Sequence, residues 1–332
     1  MKQLLVALSL FITLSAIAQK KPLEHSVYDA WQSIGEKLIS NNGKFVVYTI
    51  NPQEGDGSLI IQQTDGKKLF EIERGYAAKI TEDSKFVICK IKPTFLQTRT
   101  AKIQKKKADE MPKDSLAIVD INSLTIERIA RIKNFKTPEK SSAFVVYLSE
   151  KNVADNGVKA ELDSLSRIKR IQTIADSLSK TVDSLRNKLL EVQTKGIAVL
   201  QSKKENKPAA KANEETIEEG TELTVLNLQS HQKRSFKLVN DYVVSKTGNN
   251  IVIKTSKKNN DTLSKACVIK YDLLKNQTDT LLKGLNDAKS FAFDEAGDQL
   301  AFVAERDSST KALQKFYKLY YYKTGFDSAR SI

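Results

Sequence analysis

The amino-acid sequence predicts a mainly β protein, a partial β-propeller of four-stranded blades with an inserted long helix or helical hairpin. Two observations carry this prediction: a turn followed by a short strand recurs along the chain, and a central stretch switches to helical periodicity. We divide the chain into residues 1–18, a signal peptide; 19–152, the first blades; 153–200, a helical, coiled-coil-like insertion; 201–220, a flexible tether; and 221–332, further blades of an incomplete propeller.

The recurring unit is a polar turn followed by β-branched and aromatic residues. Four copies are visible: Ser40–Tyr48, Glu82–Ile88, Ser245–Ile253 and Asp294–Val303. Gly and Asn tolerate the positive φ of a tight turn, whereas Val, Ile and Phe favour a pleated, half-buried surface. The spacing is 41 residues from position 43 to 84 and 49 residues from 248 to 297, close to the ~40–50 residues of a propeller blade. A β-sandwich also has many short strands, and the spacing leaves that alternative open.

The first eighteen residues have the pattern of a secretory signal peptide. Lys2 precedes an apolar run from Leu4 to Ile17, and small residues at positions 16 and 18 come before Gln19. The run is shorter than the ~20 residues that a membrane anchor needs. We therefore expect an exported protein, periplasmic or extracellular, with no membrane span after cleavage.

Strand character then continues along the first blades. Trp31 is interpreted as a core or packing anchor rather than a binding platform. The lysine run Lys102–Lys107, within the connection Thr98–Asp114, is interpreted as a solvated loop rather than a patch for anionic surfaces. The strands expected here are residues 45–50, 58–62, 68–73, 86–91, 115–121 and 125–132, with Ser142–Ser149 opening a third unit.

Helical periodicity replaces the strands in the middle of the chain. Apolar residues recur at steps of three or four between Leu162 and Val192, which predicts one helix over Glu161–Gln193, or two joined near residues 177–180. A dimerising or partner-binding coiled coil is one interpretation. We favour a helical hairpin that packs on itself or on the propeller, because the steps drift from a strict heptad.

The segment after the helix is polar and charged. Gln201–Gly220 predicts a flexible tether, in which Glu214, Glu215, Glu218 and Glu219 are solvated charges rather than a carboxylate site. Strands return at residues 221–228, 231–238, 241–245, 251–253, 266–272, 290–293, 300–303 and 318–322.

The residues that usually carry chemistry are few. The chain has two cysteines, Cys89 and Cys267, each in a strand-like run where a free thiol acts as a small buried hydrophobe; a disulfide between them stays open. The histidines, His25 and His231, have no metal-ligand spacing to other residues, and nucleophile-elbow, P-loop and dinucleotide motifs are missing. We predict no catalytic, cofactor-binding or metal-ligating residue and no cofactor. The net charge of +14 does not indicate nucleic acid in an exported protein.

Four stretches have a more distinctive amino-acid sequence than the repeat. They are Lys21–Ile34, Tyr48–Gly57, Met111–Leu116 and Lys136–Lys140, and they resemble exported prolyl oligopeptidase-like serine peptidases of the S9 class from Bacteroidetes. The resemblance covers Lys21 to about Glu150 well, and Thr221 onward more loosely.

The resemblance implies an N-terminal propeller that gates peptide access to a C-terminal α/β-hydrolase domain carrying Ser, Asp and His. This chain has no such domain, so no catalytic residue is assigned, and we expect a fragment that is inactive alone. Relatives that release dipeptides hold the substrate's amino terminus with propeller glutamates, a role that the position of Glu214 and Glu215 in the tether does not support. The alternative is a stand-alone envelope binding or scaffold protein that uses the propeller face or the helix.

The expected partners follow from this interpretation. Peptide substrates require the missing hydrolase domain, and nucleic acid is not expected. Self-association is expected through the open propeller edge or the Leu162–Val192 helix.

Overall fold

The structure is a computed structural model that describes residues 28, 31–151, 218–259, 261, 263–306 and 314–332, with positions 172, 176, 179, 182, 183 and 185–187. It forms two compact units. The first contains the described residues through Val145 with Asn227–Gln232 and Lys246–Gly248. The second contains the described residues of Val146–Leu226, Lys233–Ser245 and Asn249–Ile332.

Two four-stranded antiparallel sheets, blade 1 and blade 2, belong to the first unit. Each is a meander whose consecutive strands are hydrogen-bonded. Blade 1 consists of β1 (Gln32–Ile39), β2 (Phe45–Pro52), β3 (Ser58–Gln63) and β4 (Lys68–Glu73). Blade 2 consists of β5 (Gly75–Ile80), β6 (Phe86–Ile91), β7 (Ser115–Asp120) and β8 (Thr125–Ile129). Burial alternates along β2, the period-two pattern of a strand with one face on the core.

The next sheet has seven strands in the order β15-β14-β13-β12-β11-β10-β9. They are β9 (Ile132–Lys136), β10 (Phe144–Ser149), β11 (Thr221–Asn227), β12 (Lys233–Val244), β13 (Asn250–Thr255), β14 (Cys267–Asp272) and β15 (Gln277–Lys283). Up to Val239, β12 pairs with β11, and from Val239 onward it pairs with β13, with a register shift before Asp241. The sheet therefore comprises two blades that share β12: blade 3 (β9 to β12) and blade 4 (β12 to β15).

Blade 5 lies in the second unit. Its strands are β16 (Asp287–Phe293), β17 (Gln299–Glu305), β18 (Lys318–Lys323) and β19 (Arg330–Ser331). The predicted fold class is confirmed: the described chain is mainly β, with several four-stranded antiparallel sheets in a propeller-like organisation. The described strands form five blades rather than the four units visible in the sequence, because blade 3 lacks the recurring turn.

That turn has the same hydrogen bonds in the other four blades. Its first residue donates its backbone N–H to the carbonyl five positions later, and its side-chain oxygen accepts the N–H of that same residue, at 2.9–3.1 Å. The pairs are Ser40 with Phe45, Thr81 with Phe86, Ser245 with Asn250, and Asp294 with Gln299. The first residue of the turn needs a side-chain hydroxyl or carboxylate, because its side-chain oxygen must accept a backbone N–H.

The fourth residue of each turn has positive φ. The values are 67° for Gly43, 57° for Ser84, 78° for Gly248 and 81° for Gly297. Glycine fills three of the four positions because a Cβ is strained in this left-handed conformation.

Turns of successive blades are hydrogen-bonded to each other. In the first unit, Asn41 Nδ2 donates to the carbonyl and carboxylate of Glu82 at 3.1 and 2.9 Å, and the Asp83 N–H donates to Ser142 Oγ at 2.7 Å. In the second unit, Asn250 Nδ2 donates to the Gly297 carbonyl at 2.9 Å. The repeat thus joins each of these blades to the next at its first turn.

Each unit has an apolar core between two blades. Blades 1 and 2 contribute Phe45, Val47, Leu59, Ile61, Ile72, Ala78, Val87, Cys89, Ile91, Ala117 and Val119. Blades 4 and 5 contribute Val252, Val268, Leu281, Leu282, Leu300, Phe302, Ala304, Tyr320 and Tyr322, among others. Within each unit, the facing blades therefore bury apolar side chains against each other.

Three local predictions are wrong. Trp31 is 56% exposed and packs edge-on against Tyr28, so it is not a core anchor. Ser142–Ser149 is the second strand of its blade, because β9 precedes it. The Lys102–Lys107 run is exposed, as predicted, but it is not wholly a loop, because its first two residues end helix α1 (Phe95–Ile103); a 3₁₀ turn (Ala108–Glu110) follows it before β7.

The central insertion enters between β10 and β11. The described positions from 172 to 187 are helical, while the remaining positions of the predicted Glu161–Gln193 helix lie outside the described residues. So do the predicted signal peptide and residues 201–217 of the predicted tether. In the described part of the chain, no helix has the length and apolarity to cross a membrane.

Candidate functional site

The described residues contain no cluster of three or more His, Cys, Asp or Glu side chains that could hold a metal ion. Cys89 and Cys267 are both free thiols, so the disulfide left open by the sequence does not form. Burial, assisted by the negative charge of Glu36, raises the pKa of Cys89 to about 12. Because the thiol stays protonated at neutral pH, Cys89 is a packing residue and not a nucleophile.

The tether glutamates are only partly described. Glu218 is exposed, as expected of a solvated charge. Glu219 is half-buried, and its Oε1 accepts the N–H of Asn259 at 2.7 Å, so the solvated interpretation is wrong for this residue. Glu214 and Glu215 lie outside the described residues.

A polar cluster in blade 2 joins β5, β6 and the start of β7. The Tyr76 hydroxyl donates to Asp114 Oδ2, and Lys90 Nζ lies 2.6 Å from the same oxygen. Lys90 Nζ also donates to the carbonyl of Lys133 on β9 at 3.1 Å. Lys90 and Lys92 stand 5.5 and 4.9 Å from the centre of the Tyr76 ring, within cation–π range.

The electrostatics of this cluster indicate a structural role. Burial and the hydrogen bond to Asp114 raise the pKa of Tyr76. Burial lowers the pKa of Lys90, but hydrogen bonds to Asp114 and Tyr76 outweigh it, and the net pKa is raised. The Tyr76 phenol and the Lys90 ammonium therefore stay protonated at neutral pH, and both donate to the Asp114 carboxylate. Neither donor is poised to exchange a proton.

A related cluster lies in the second unit. Lys254, like Lys90, is the fifth residue of the second strand of its blade. Its Nζ lies 2.5 Å from Asp287 Oδ1, Tyr317 donates to Asp287 Oδ2 at 2.6 Å, and Lys289 Nζ lies 3.9 Å from the centre of the Tyr317 ring. The hydrogen bond to Asp287 raises the pKa of Tyr317 to about 12. Blades 4 and 5 are therefore linked by a Lys–Asp–Tyr bridge.

This bridge predicts a dependence of stability on pH. Burial raises the pKa of Asp287, but hydrogen bonds from Lys254 and Tyr317 outweigh it and lower the net pKa below the ordinary 3.8. The stabilisation is complete above that ordinary value and is lost as the pH falls through the lowered folded-state value. We expect Asp287→Asn to remove this acid sensitivity, an effect of up to about 1 kcal/mol because the pair is partly solvated.

Urea unfolding at neutral pH and below pH 3.8 measures the free energy of unfolding that the parent chain and the variant each lose in acid. The matched control is Asp327→Asn, which removes an exposed carboxylate from the same unit. If both variants keep the acid dependence of the parent chain, the bridge does not contribute to it.

The candidate functional surface is the face of blade 1 that points away from the core with blade 2; we call it the uncovered face, with reference to the described residues only. Phe45 and Val47 point into the core with blade 2, whereas Val46 and Tyr48 point to the opposite face of β2. A cavity of about 470 Å³ opens at this end of the sheet. It is lined by Ile34, Lys37, Leu38, Ile39, Val46, Val47 and Tyr48.

The exposure of this face is unusual for its composition. Ile34 is 62% exposed and Ile39 is 65% exposed, and both lie in β1, on either side of a break in its pairing register with β2. Because these side chains lie beside the apolar lining of the cavity, this face is the candidate binding surface.

Blade 5 also leaves apolar side chains on the face away from its core. Leu319 is 44% exposed, and its cross-strand partner Val303 and the nearby Tyr321 are half-buried. Their neighbours along the same strands, Phe302 and Tyr320, point into the core with blade 4. The first and last described blades thus each have one packed and one uncovered face.

No protein-family model matches the chain, and no curated protein matches its sequence. Among solved structures, it is similar to the β-propeller domain of the trilobed protease from Pyrococcus furiosus, with TM-score 0.42 and 12% identity over 92% of this chain and 72% of that one. It is similar to Pyrococcus horikoshii acylaminoacyl peptidase, with TM-score 0.39 and 11% identity, covering 92% of this chain and 40% of the peptidase. It is also similar to the tricorn protease, with TM-score 0.43 and 12% identity over 92% of this chain and 23% of that protein.

Proposed function

We propose that this chain is the propeller part of an exported S9-like serine peptidase and that it gates the access of peptides to an α/β-hydrolase domain outside this sequence. The proposal combines the four stretches that resemble such peptidases with the blade architecture. In this role the chain binds some peptides and excludes others, and a separate domain supplies the catalytic Ser, Asp and His.

The observation that carries the proposal is the uncovered apolar face of blade 1. Blades 1 and 2 bury their facing apolar side chains against each other, and the opposite side of blade 1 offers Ile34, Ile39, Val46 and Tyr48 around the cavity of about 470 Å³. A further blade would complement this face, because the side chains of two packed sheets interdigitate at a separation of ~10 Å. The described blades therefore have the surface of a propeller that continues into more structure.

The distribution of connections supports a gating role. In blades 2 to 5 the longest connection is the one between the second and third strands, and it spans residues 92–114, 150–220, 256–266 and 306–317. In an antiparallel meander these connections leave the blade at the end opposite its first turn. Blades 2, 4 and 5 thus each have one end formed by the hydrogen-bonded turn and another that carries connections of varied length, which is how a scaffold presents a selective surface.

Peptidase assays test the proposal. We expect the native gene product to be longer than 332 residues and to hydrolyse proline-containing peptides, with loss of turnover after treatment with a serine-directed inhibitor. The chain ending at Ile332 should show no turnover. Hydrolysis by this chain alone, abolished by the inhibitor, would contradict the assignment of chemistry to another domain.

A stand-alone envelope binding or scaffold protein is the second candidate. The same uncovered faces favour it, since either one accepts a partner or another copy of the chain. The mass of the native product separates the two proposals: a product that ends at Ile332, with no in-frame hydrolase sequence after it, supports the scaffold and excludes the peptidase.

A further inference from the structure

The helix between β6 and β7 is held firmly at both ends. Thr94 and Gln97 form a capping box at its start, and Asp56 Oδ1 accepts the N–H of Phe95 at 2.8 Å. At its end, Lys105 has φ of 51°, and the Lys106 N–H donates to the Ala101 carbonyl at 3.1 Å, a Schellman-type arrangement. The orientation of α1 is therefore set by the fold.

The polarity of α1 is the reverse of that of an ordinary surface helix. Its inward side carries Ala101, which is 2% exposed, and the half-buried Thr98. Leu96 and Ile103, seven residues apart and so on one line of the helix, are 72% and 73% exposed. An amphipathic helix that only packs on its protein would place these apolar residues inside.

Basic residues accompany the exposed apolar line. Arg99 lies on the same side of the helix as Leu96 and Ile103, and its partner is the exposed Glu54 at 3.5 Å. Four exposed lysines follow within the next residues: Lys102, Lys105, Lys106 and Lys107. Asp109 and Glu110 in the adjoining 3₁₀ turn offset part of this charge.

We propose that α1 and the lysines after it form a membrane-docking element for anionic lipid bilayers, with Leu96 and Ile103 inserted at the headgroup boundary. A lysine-flanked apolar line is the combination that holds a helix in the interfacial plane. The interaction is independent of peptidase chemistry and brings the propeller to a membrane surface through a surface helix.

The shape of the element favours a bilayer over a protein partner. Leu96 and Ile103 project from the convex surface of α1 and are 72% and 73% exposed, so a partner protein would need its own complementary pocket. A fluid bilayer admits protruding apolar side chains directly, and its anionic headgroups pair with several lysines of differing reach.

Vesicle flotation with the full chain tests the proposal. We expect binding to phosphatidylcholine vesicles that contain phosphatidylglycerol, and none to pure phosphatidylcholine. Lys105→Gln/Lys106→Gln/Lys107→Gln should weaken partitioning about 100-fold, because each lysine near an anionic surface contributes about fivefold. Leu96→Ser/Ile103→Ser should weaken it at least about tenfold.

Matched controls separate docking from general charge or apolarity. Lys275→Gln/Lys283→Gln/Lys323→Gln removes the same charge from exposed positions elsewhere, and Leu263→Ser/Leu274→Ser removes two exposed leucines that are 87% and 74% accessible. Both controls should bind as the parent chain does. All variants begin at the same N-terminal residue as the parent chain, and unchanged thermal melts by circular dichroism verify that they fold.

Three results would overturn the proposal. They are vesicle binding that is equally weakened by the control lysine variant, binding indifferent to Leu96→Ser/Ile103→Ser, and retention on immobilised polyglutamate without any vesicle binding. The last result would identify an acidic protein surface as the partner.

Discussion

Gly248→Ala is expected to lower the free energy of unfolding by about 3 kcal/mol, whereas Gly43→Ala, at the same place in the repeat, should lower it by about 1 kcal/mol. Both glycines have positive φ, 78° and 67°, so both alanines have backbone strain. Only at Gly248 would the new Cβ also collide with neighbours, at 2.7 Å from Pro138 Cγ and 3.0 Å from Ser141 Cβ. The proline ring cannot rotate away from the contact.

Chemical denaturation of the two variants checks this difference. Among the described residues, apart from the two chain neighbours of Gly43, none has an atom within 4 Å of the position of a Cβ, so this variant reports the backbone contribution alone. Equal losses at the two positions would show that the blade 3 turn moves aside at little cost and that the close approach of residues 138–141 to Gly248 is not a constraint.

Phe302→Ala should have the largest effect among single side-chain truncations, a loss of about 4 kcal/mol in the free energy of unfolding. Phe302 is 1% exposed. Its ring is stacked between Phe291, at 5.4 Å, and Tyr320, at 5.6 Å, in the core of blades 4 and 5. Truncation removes both stacking contacts and leaves a cavity that the paired sheets cannot close.

The control for this prediction is Phe316→Ala, which removes the same atoms from a side chain that is 70% exposed. Its expected change is within about 0.5 kcal/mol. If thermal melts show similar losses for both phenylalanines, the stacked core is looser than its geometry indicates.

The repeat can be recognised in the sequence because its turn requires particular residue types at two positions. A residue with a side-chain acceptor must start it, and a residue tolerant of positive φ must occupy its fourth position, as in Ser40 and Gly43. Blade 3 was harder to recognise because its first turn, at residues 137–143, contains Pro138 and has no residue with positive φ. Its opening strand, β9, is short and mostly exposed, so it lacks the apolar alternation that marks a strand.

Helix α1 was missed for a related reason. Its apolar residues face outward, and lysines follow directly, so the segment has the composition of a solvated loop. Capping by Thr94 and the contact from Asp56 stabilise the helix, but Asp56 lies 39 residues before Phe95, and no local pattern reveals that bond.

The polar clusters were equally hidden. Tyr76 and Asp114 are 38 residues apart, and Lys254 and Asp287 are 33 apart. Each of these residues alone resembles an ordinary surface side chain. Only strand pairing and blade-to-blade packing bring them together, so the sequence predicts no site at these positions.

The sequence by itself determined the mainly β class, the blade-like period and the break in the repeat where the helical insertion enters, because turns and strand alternation depend on residues close together in the chain. The tertiary structure alone decided the number of blades, the sharing of β12, the uncovered face of blade 1 and the outward face of α1. Those features depend on which surface each sheet buries and which it leaves to water. Burial is settled by contacts between distant segments, which local patterns do not encode.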